Sequence, residues 1–181
     1  TSNPSATAQR LLYHALVQLR ERCSMVDIVL VGGNHDSGNR LDAAQPLLRS
    51  LRMTVVGILP WKNGKMDMES VIVPLHQKDG SVGAWIGAIP FLREADLPPL
   101  AQENPDSDPI VDRVALLYQE LAQAMEQRRL PGQALICTGH AFLASTRSSL
   151  GSERPILGGN LHPLPVQIFP ENLDYVALGH L

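Results

Sequence analysis

The sequence contains little cysteine and no long apolar run, and each shortage excludes a class of protein. Only Cys23 and Cys137 are cysteines among 181 residues, so neither a disulfide framework nor a Cys-x-x-Cys metal site is available. No window approaches the roughly 18 consecutive apolar residues of a membrane span. The first residues, Thr1 to Pro4, lack the basic and then apolar order of a signal peptide. We therefore expect a cytoplasmic protein with no membrane partner.

Strong charge of either sign is also missing. The formal net charge is −3 at pH 7, so the chain has no overall positive field that would attract nucleic acid, although charge does not exclude DNA as a ligand. Hydrophobic residues make up 44% of the chain and charged residues 18%, which is typical of globular proteins. The length predicts one domain with an ordinary buried core.

Hydrophobic periodicity predicts an α/β fold. Helical spacing of apolar residues predicts helices over residues 5–19, 39–51 and 112–128, the second one kinked or started late by Pro46. Short apolar or β-branched runs predict strands at residues 27–31, 54–58, 71–74, 84–89, 134–138 and 175–178. Asn63-Gly64 and Asp79-Gly80 are dipeptides favoured in hairpin turns. We therefore expect the strands between residues 54 and 89 to be antiparallel.

Three of the predicted strands lead into a glycine that is followed, one or two residues later, by a histidine. These histidines are His35, His140 and His180. The carboxyl ends of strands in an α/β sheet open onto the ligand crevice, and glycine lets the backbone turn sharply there. One such histidine is more often a packed residue than a ligand, but three of six in the same context favour a site. The other three are expected to be solvated, namely His14 on a helix and His76 and His162 in loops.

The residues around these histidines suit metal-assisted hydrolysis. Imidazole nitrogen together with the Asn34 oxygen suits a divalent ion such as Mn²⁺, Fe²⁺ or Zn²⁺, and the lack of thiolate argues against a closed structural zinc site. The run Asn34-His35-Asp36 adds an imidazole that can transfer a proton and a carboxylate that can orient it. This combination predicts phosphoester cleavage. The competing interpretation is a polar turn that caps the second helix.

The motif Gly33-Asn34-His35-Asp36, with Gly139-His140 and Gly179-His180 after later strands, resembles the third, fourth and fifth motifs of the calcineurin-like metallophosphoesterases. Residues 31–37, 88–93, 138–140 and 174–180 are similar, in the same order, to one branch of that family, the bacterial SbcD-type nuclease subunits. The resemblance implies a four-layer α/β/β/α sandwich of two mixed β-sheets flanked by helices, here incomplete at both ends.

The same resemblance implies roles for individual residues. It makes Asn34, His140 and His180 metal ligands for two divalent ions, with Mn²⁺ as the first expectation. It makes His35 the catalytic imidazole, supported by Asp36. The implied function is a DNA nuclease with double-strand exonuclease and single-strand endonuclease activity, acting on the nucleoid with an SbcC-type ATPase subunit. It also implies a homodimer through the helices near Leu12 and Leu48.

Parts of the family pattern are missing from this sequence. The family's Asp-x-His and Gly-Asp-x-x-Asp motifs do not occur, and the chain stops at Leu181, before the last histidine of the fifth motif. Asp27 and Asp174 cannot replace the missing carboxylates, because they lie at the amino ends of their predicted strands, roughly 15 Å from the carboxyl ends at ~3.3 Å per residue. We expect residues 1–181 to be the middle of one nuclease domain and to be inactive alone.

Two alternatives to the nuclease remain open. The first is another metallophosphoesterase that acts on small phosphoesters or cyclic nucleotides. The second is a non-catalytic scaffold that binds DNA or a partner protein with a degenerate site.

Overall fold

The computed structural model describes residues 3–102, 104–144 and 163–180, and the loop position predicted for His162 lies outside them. The described part is an α/β structure, as expected. Its helices are α1 (Ala6–Arg22), α2 (Gly38–Ala43), α3 (Gln45–Ser50), α4 (Met68–Val71) and α5 (Pro109–Glu126). Its strands are β1 (Ile28–Val31), β2 (Met53–Val56), β3 (Trp61–Lys62), β4 (Lys65–Met66), β5 (Ile72–His76), β6 (Val82–Gly87), β7 (Ala134–His140) and β8 (Tyr175–Gly179).

The first layer is a parallel pair of strands with helices around it. Strand β1 pairs in parallel with β2, from Ile28 opposite Met53 to Val31 opposite Val56. Helix α1 begins where predicted, because the Ser5 hydroxyl oxygen accepts a hydrogen bond from the Ala8 N–H at 3.1 Å. The helix predicted over residues 39–51, kinked or started late at Pro46, is helical over nearly this range but interrupted. It is divided at Ala44 into α2 and α3, since proline lacks the N–H of a helix interior and Pro46 stands in the first turn of α3.

The second layer is a four-stranded mixed sheet with the order β5-β6-β7-β8. Strands β5 and β6 are antiparallel, and β6–β7 and β7–β8 are parallel. The antiparallel prediction is therefore confirmed for β5 and β6 and wrong for β2, which α2 and α3 connect to β1 as a crossover. The Asn63-Gly64 turn, with φ values of 53° and 75°, instead closes the small separate hairpin of β3 and β4.

Helix α5 buries six residues, more than any other helix that the structure describes. The Asp108 carboxylate caps it by accepting from the Ile110 N–H at 2.9 Å, and the helix ends at Glu126, two residues before the predicted end. Its buried side chains pack in the same cluster as Leu135 and Cys137 of β7. Among the helices in the described ranges, none has the length and hydropathy needed to cross a bilayer.

A second, smaller cluster lies under the first layer. It contains four buried residues: Leu16, Leu48, Met53 and Val55. Leu48 is only 7% exposed, so it is a core residue of this chain and the prediction of an intersubunit contact is wrong for Leu48 itself. Its neighbour Leu47 is 75% exposed.

Candidate functional site

The first half of the candidate site is the turn that follows β1. The Asp36 carboxylate accepts from the Gly33 N–H at 2.9 Å, and the Asp36 N–H donates to the Gly33 carbonyl at 3.1 Å. These bonds close a turn that contains Asn34 and His35. Glycine is required at its base, because a Cβ atom on Gly32 would lie 2.5 Å from the carbonyl oxygen of Gly57.

The second half lies at the carboxyl ends of β7 and β8. His140 is the last residue of β7 and pairs with Gly179, the last residue of β8. A Cβ atom on Gly179 would lie 2.5 Å from Nδ1 of His140, so glycine there makes room for the ring. The next residue, His180, has a φ of 68°, which is uncommon outside glycine and found more often at functional sites. The two imidazole centroids are 5.3 Å apart.

The two halves meet between Asn34 and His140. Oδ1 of Asn34 lies 2.8 Å from Nε2 of His140, although the residues are 106 positions apart in the chain. Asn34, His140 and His180 are all half-buried, and His35 is exposed beside them. The fold thus brings Asn34, His140 and His180 together at one place, as expected from the strand ends. Their roles as ligands stay predictions.

Asp36 contributes negative charge to the same place. Partial burial of the carboxyl group acts to raise its pKa, while the hydrogen bond from the Gly33 N–H and the nearby imidazole of His140 act to lower it. The pKa of Asp36 lies below its ordinary value. The side chain is therefore an anion at neutral pH.

The donor atoms of Asn34, His140 and His180 are of the uncharged kind found among the ligands of divalent metal ions. One amide oxygen and two imidazoles are ligands that Mn²⁺, Fe²⁺ and Zn²⁺ accept. Within the residues that the structure describes, no group of three or more His, Cys, Asp or Glu side chains lies close enough to hold a metal. A site here therefore depends on Asn34 together with His140 and His180.

The carboxylates that were excluded as ligands have other partners. The Asp27 carboxylate accepts from the His76 N–H at 2.6 Å and lies 3.0 Å from Nδ1 of the same histidine. The Asp174 carboxylate accepts from the Leu135 N–H at 2.7 Å. The expectation for His76 is wrong, since it ends strand β5 and is half-buried against Asp27 rather than lying in a solvated loop. His14 is exposed on α1, as predicted.

One residue beside the site had no predicted role. The ring of Phe91 lies 6.0 Å from the imidazole of His140, centroid to centroid, at an interplanar angle of 86°. Its signals in the sequence are its place after the apolar run 86–90 and its position within the segment 88–93 that carries the family resemblance.

No protein-family model matches the chain, but curated proteins do. It is 41% identical over 183 residues to a protein of Rhodobacter capsulatus named as the SbcD subunit of the nuclease SbcCD, covering 99% of this chain and 44% of that protein. Proteins of the same name from Bacillus subtilis and Escherichia coli K12 are each 29% identical, over 183 and 188 residues. The chain spans about 44% of the length of these relatives.

Proposed function

Because the chain is homologous to part of the SbcD subunits of SbcCD nucleases, we propose that it belongs to the catalytic domain of a metal-dependent DNA nuclease subunit. The whole protein acts in the cytoplasm on nucleoid DNA and assembles with an SbcC-type ATPase. The observation that carries this proposal is the 2.8 Å contact between Asn34 Oδ1 and His140 Nε2. It unites the Gly-Asn-His-Asp turn with the strand-end histidines.

Asn34, His140 and His180 hold the metal in this proposal. A pair of divalent ions held there, with Mn²⁺ as the first candidate, would polarise the phosphoryl oxygens and activate water for attack. The residues contribute neutral donors, so they set geometry without offsetting much positive charge. Asp36 supports this arrangement through its hydrogen bond to Gly33, which holds the turn that carries Asn34.

His35 is the catalytic imidazole in the same proposal. It is exposed on the turn between Asn34 and Asp36, where a phosphodiester can reach it. A positioned imidazole gives or takes a proton at the phosphate or at the leaving oxygen. Asp36, next to it in the sequence, holds the turn that carries this imidazole by accepting the hydrogen bond from the Gly33 N–H.

We also propose the finer architecture that the homology suggests, a four-layer sandwich of two mixed sheets in one phosphoesterase domain. The parallel pair β1–β2 and the mixed sheet β5–β8 supply parts of two sheets. The Phe91 N–H donates to the Gly32 carbonyl at 2.7 Å and so connects these two layers. This contact supports a shared domain.

The apolar surface of α1 and α3 supports a homodimer. Leu11 is 63% exposed, Leu12 37% and Leu47 75%, and adjacent apolar side chains at such exposure are typical of interaction surfaces. We assign the contact near α3 to Leu47, since Leu48 is buried within its own subunit.

Cleavage of linear duplex DNA by the full-length protein, alone and with its ATPase partner, tests the proposed function. We expect no cleavage after chelation, recovery with added Mn²⁺, and loss of activity in His35→Ala. A matched control is His14→Ala, which removes an exposed histidine from α1.

Two results would contradict the proposal. Cleavage that persists in excess chelator would exclude a metal nuclease. Hydrolysis of a small phosphodiester with no cleavage of DNA would instead favour the small-phosphoester alternative, and binding of DNA with no hydrolysis at all would favour the scaffold.

A further inference from the structure

Phe91 occupies the position where the two halves of the site join. Its backbone N–H donates to the carbonyl of Gly32, at the base of the Asn34 turn, at 2.7 Å. Its backbone also forms a parallel bridge with His140, and its ring packs at 86° to the His140 imidazole. One residue thus contacts both the turn after β1 and the end of β7.

The chain reaches this position through a buried segment that leaves β6. Ala88 and Ile89 are fully buried. The Ile89 N–H donates to the Thr138 hydroxyl oxygen at 2.7 Å, and that hydroxyl donates to the Ile89 carbonyl at 2.9 Å. Pro90 follows and has no N–H to satisfy. Thr138 of β7 therefore fixes the segment two residues before Phe91.

The ring of His140 is also bordered by two glycines and by the His180 imidazole, at a centroid distance of 5.3 Å. A Cβ atom on Gly33 would lie 2.9 Å from Cε1 of the ring, and one on Gly179 would lie 2.5 Å from Nδ1. Glycines give the ring room but offer no side chain to hold it. Phe91 supplies an aromatic contact, at a centroid distance within the range of about 4.5–7 Å that is typical of favourable ring pairs.

We propose that Phe91 is a positioning residue that holds the His140 imidazole with Nε2 toward Asn34 and so couples the two halves of the site. Its effect on catalysis rests on the proposed function. Its effect on the orientation of His140 does not, because the contacts that set this orientation are made by the chain's own residues.

The test compares Phe91→Leu with two other variants of the full-length protein. Phe91→Tyr keeps the ring. Phe169→Leu is a matched control, because Phe169 is also half-buried and packs against an aromatic ring, that of Tyr118, at a centroid distance of 4.8 Å. The readouts are the ¹⁵N and ¹H spectrum of the His140 imidazole in metal-free protein and the affinity for Mn²⁺ alone.

We expect the wild-type ring to populate the tautomer with a proton on Nε2, which donates to Asn34. Phe91→Leu should lose this single tautomer and bind Mn²⁺ about 10–100-fold more weakly, the usual effect of removing a residue that orients a ligand. Phe91→Tyr and Phe169→Leu should stay within about threefold of wild type in affinity, well short of that range.

A Phe91→Leu protein whose His140 spectrum and Mn²⁺ affinity match those of Phe169→Leu would overturn the proposal. If Phe91→Leu does not fold, Phe91→Met, with a flexible apolar side chain, takes its place with the same expectations. If His140 responds as expected in a protein that cleaves no DNA, the positioning role stands and the proposed function fails.

Discussion

Two helices of nearly equal length differ sharply in how much apolar surface they bury. Helix α5 has 18 residues and buries six of them: Val114, Leu117, Tyr118, Leu121, Ala122 and Met125. Helix α1 has 17 residues and buries only Leu16. Its large exposed apolar side chains are Leu11, Leu12, Tyr13, Val17 and Leu19.

This difference in burial also distinguishes the two halves of the candidate site. Helix α5 packs on the sheet whose strands end at His140 and Gly179, so the histidines stand on a deeply packed layer. Helix α1 covers one face of β1 and β2 through a thin layer of four buried residues, while Val29, Val31 and Val56 on the other face pack in the larger cluster. The turn with Asn34 and His35 is therefore thinly packed on the α1 side only. Burial of apolar area is the main source of folded-state stability, and the thin layer has less of it.

In the thin layer, hydrogen bonds to the backbone compensate in part for the smaller buried apolar area. The Asp42 carboxylate of α2 accepts from the Gly57 N–H at 2.6 Å and from the Ile58 N–H at 3.1 Å. Arg20 of α1 donates to the carbonyl oxygens of Ser24 at 2.7 Å and Arg52 at 3.1 Å. The bonds to Arg52, Gly57 and Ile58 fix α1 and α2 to the segments that flank β2, and the bond to Ser24 holds the loop after α1.

The largest expected effect comes from changing His35, the exposed histidine in the turn after β1. His35→Ala should reduce kcat on linear duplex DNA by about 10²–10⁴-fold, the range for loss of a general acid or base. Metal content should stay near wild type, because His35 is assigned to phosphate. Metal analysis beside the cleavage assay, with His14→Ala as control, measures both. Loss of metal together with activity would make His35 a ligand.

The two cysteines give the next test of the difference in packing, because Cys23 follows α1 and Cys137 lies in β7 beneath α5. Burial raises the pKa of Cys137 to about 12, so at pH 8 its thiolate fraction is about 10³-fold below that of an ordinary thiol. Cys23 is exposed after α1. A disulfide reagent at pH 8 should modify the thiol of Cys23 quickly and the thiol of Cys137 only after unfolding. Rapid reaction of two thiols in folded protein would show that the α5 layer opens.

The raised pKa of Cys137 also gives a pH dependence of stability. The folded chain holds this proton more tightly than the unfolded chain, so the contribution is complete below the ordinary pKa of 9.0 and is lost as pH rises toward about 12. Unfolding measured across this window should show a decline that Cys137→Ala reduces.

Truncating one leucine in each helix should give a smaller but clear difference. Leu121→Ala, at 0% exposure, should lower the free energy of unfolding by about 2–5 kcal/mol through lost contacts and a cavity. Leu11→Ala, at 63% exposure, should change it by less than about 0.5 kcal/mol in the monomer, as surface positions usually do. Denaturant unfolding at low protein concentration measures both. Equal losses would mean that α1 is as deeply packed as α5.

The smallest effect on folding is expected at the proposed dimer surface. Leu11→Glu with Leu47→Glu should give a monomer by sedimentation, with an unfolding midpoint close to that of the wild-type monomer. Leu48→Glu is the contrasting variant, since Leu48 is 7% exposed and a charge there is buried without a partner. A dimer that survives the first pair of changes would place the interface elsewhere.

Much of the fold could be predicted because local signals agreed with tertiary packing. The Ser5 cap, the α5 stripe and the strand-end glycines each have a local cause that the structure retains. The parallel pairing of β2 was missed, since turn dipeptides indicate hairpins but do not say which strands pair. The pairing depends on the crossover through α2 and α3.

The residues at the strand ends of the candidate site could be predicted, but the contact between its two halves at Phe91 could not. Gly-His after an apolar run is visible in the sequence, and the fold brings these residues within contact of Asn34. The role of Phe91 was not predictable, because it depends on the path of the chain after β6. The burial of Leu48 beside exposed Leu47 likewise depends on which face of α3 packs against β2.

The most direct test is the metal content of His140→Ala in the full-length protein, measured by mass spectrometry beside His14→Ala. If Asn34, His140 and His180 form the metal site, His140→Ala should lose most of its bound Mn²⁺ and its DNA cleavage, while His14→Ala keeps both. A His140→Ala protein that retains stoichiometric Mn²⁺ would contradict the assignment of the site.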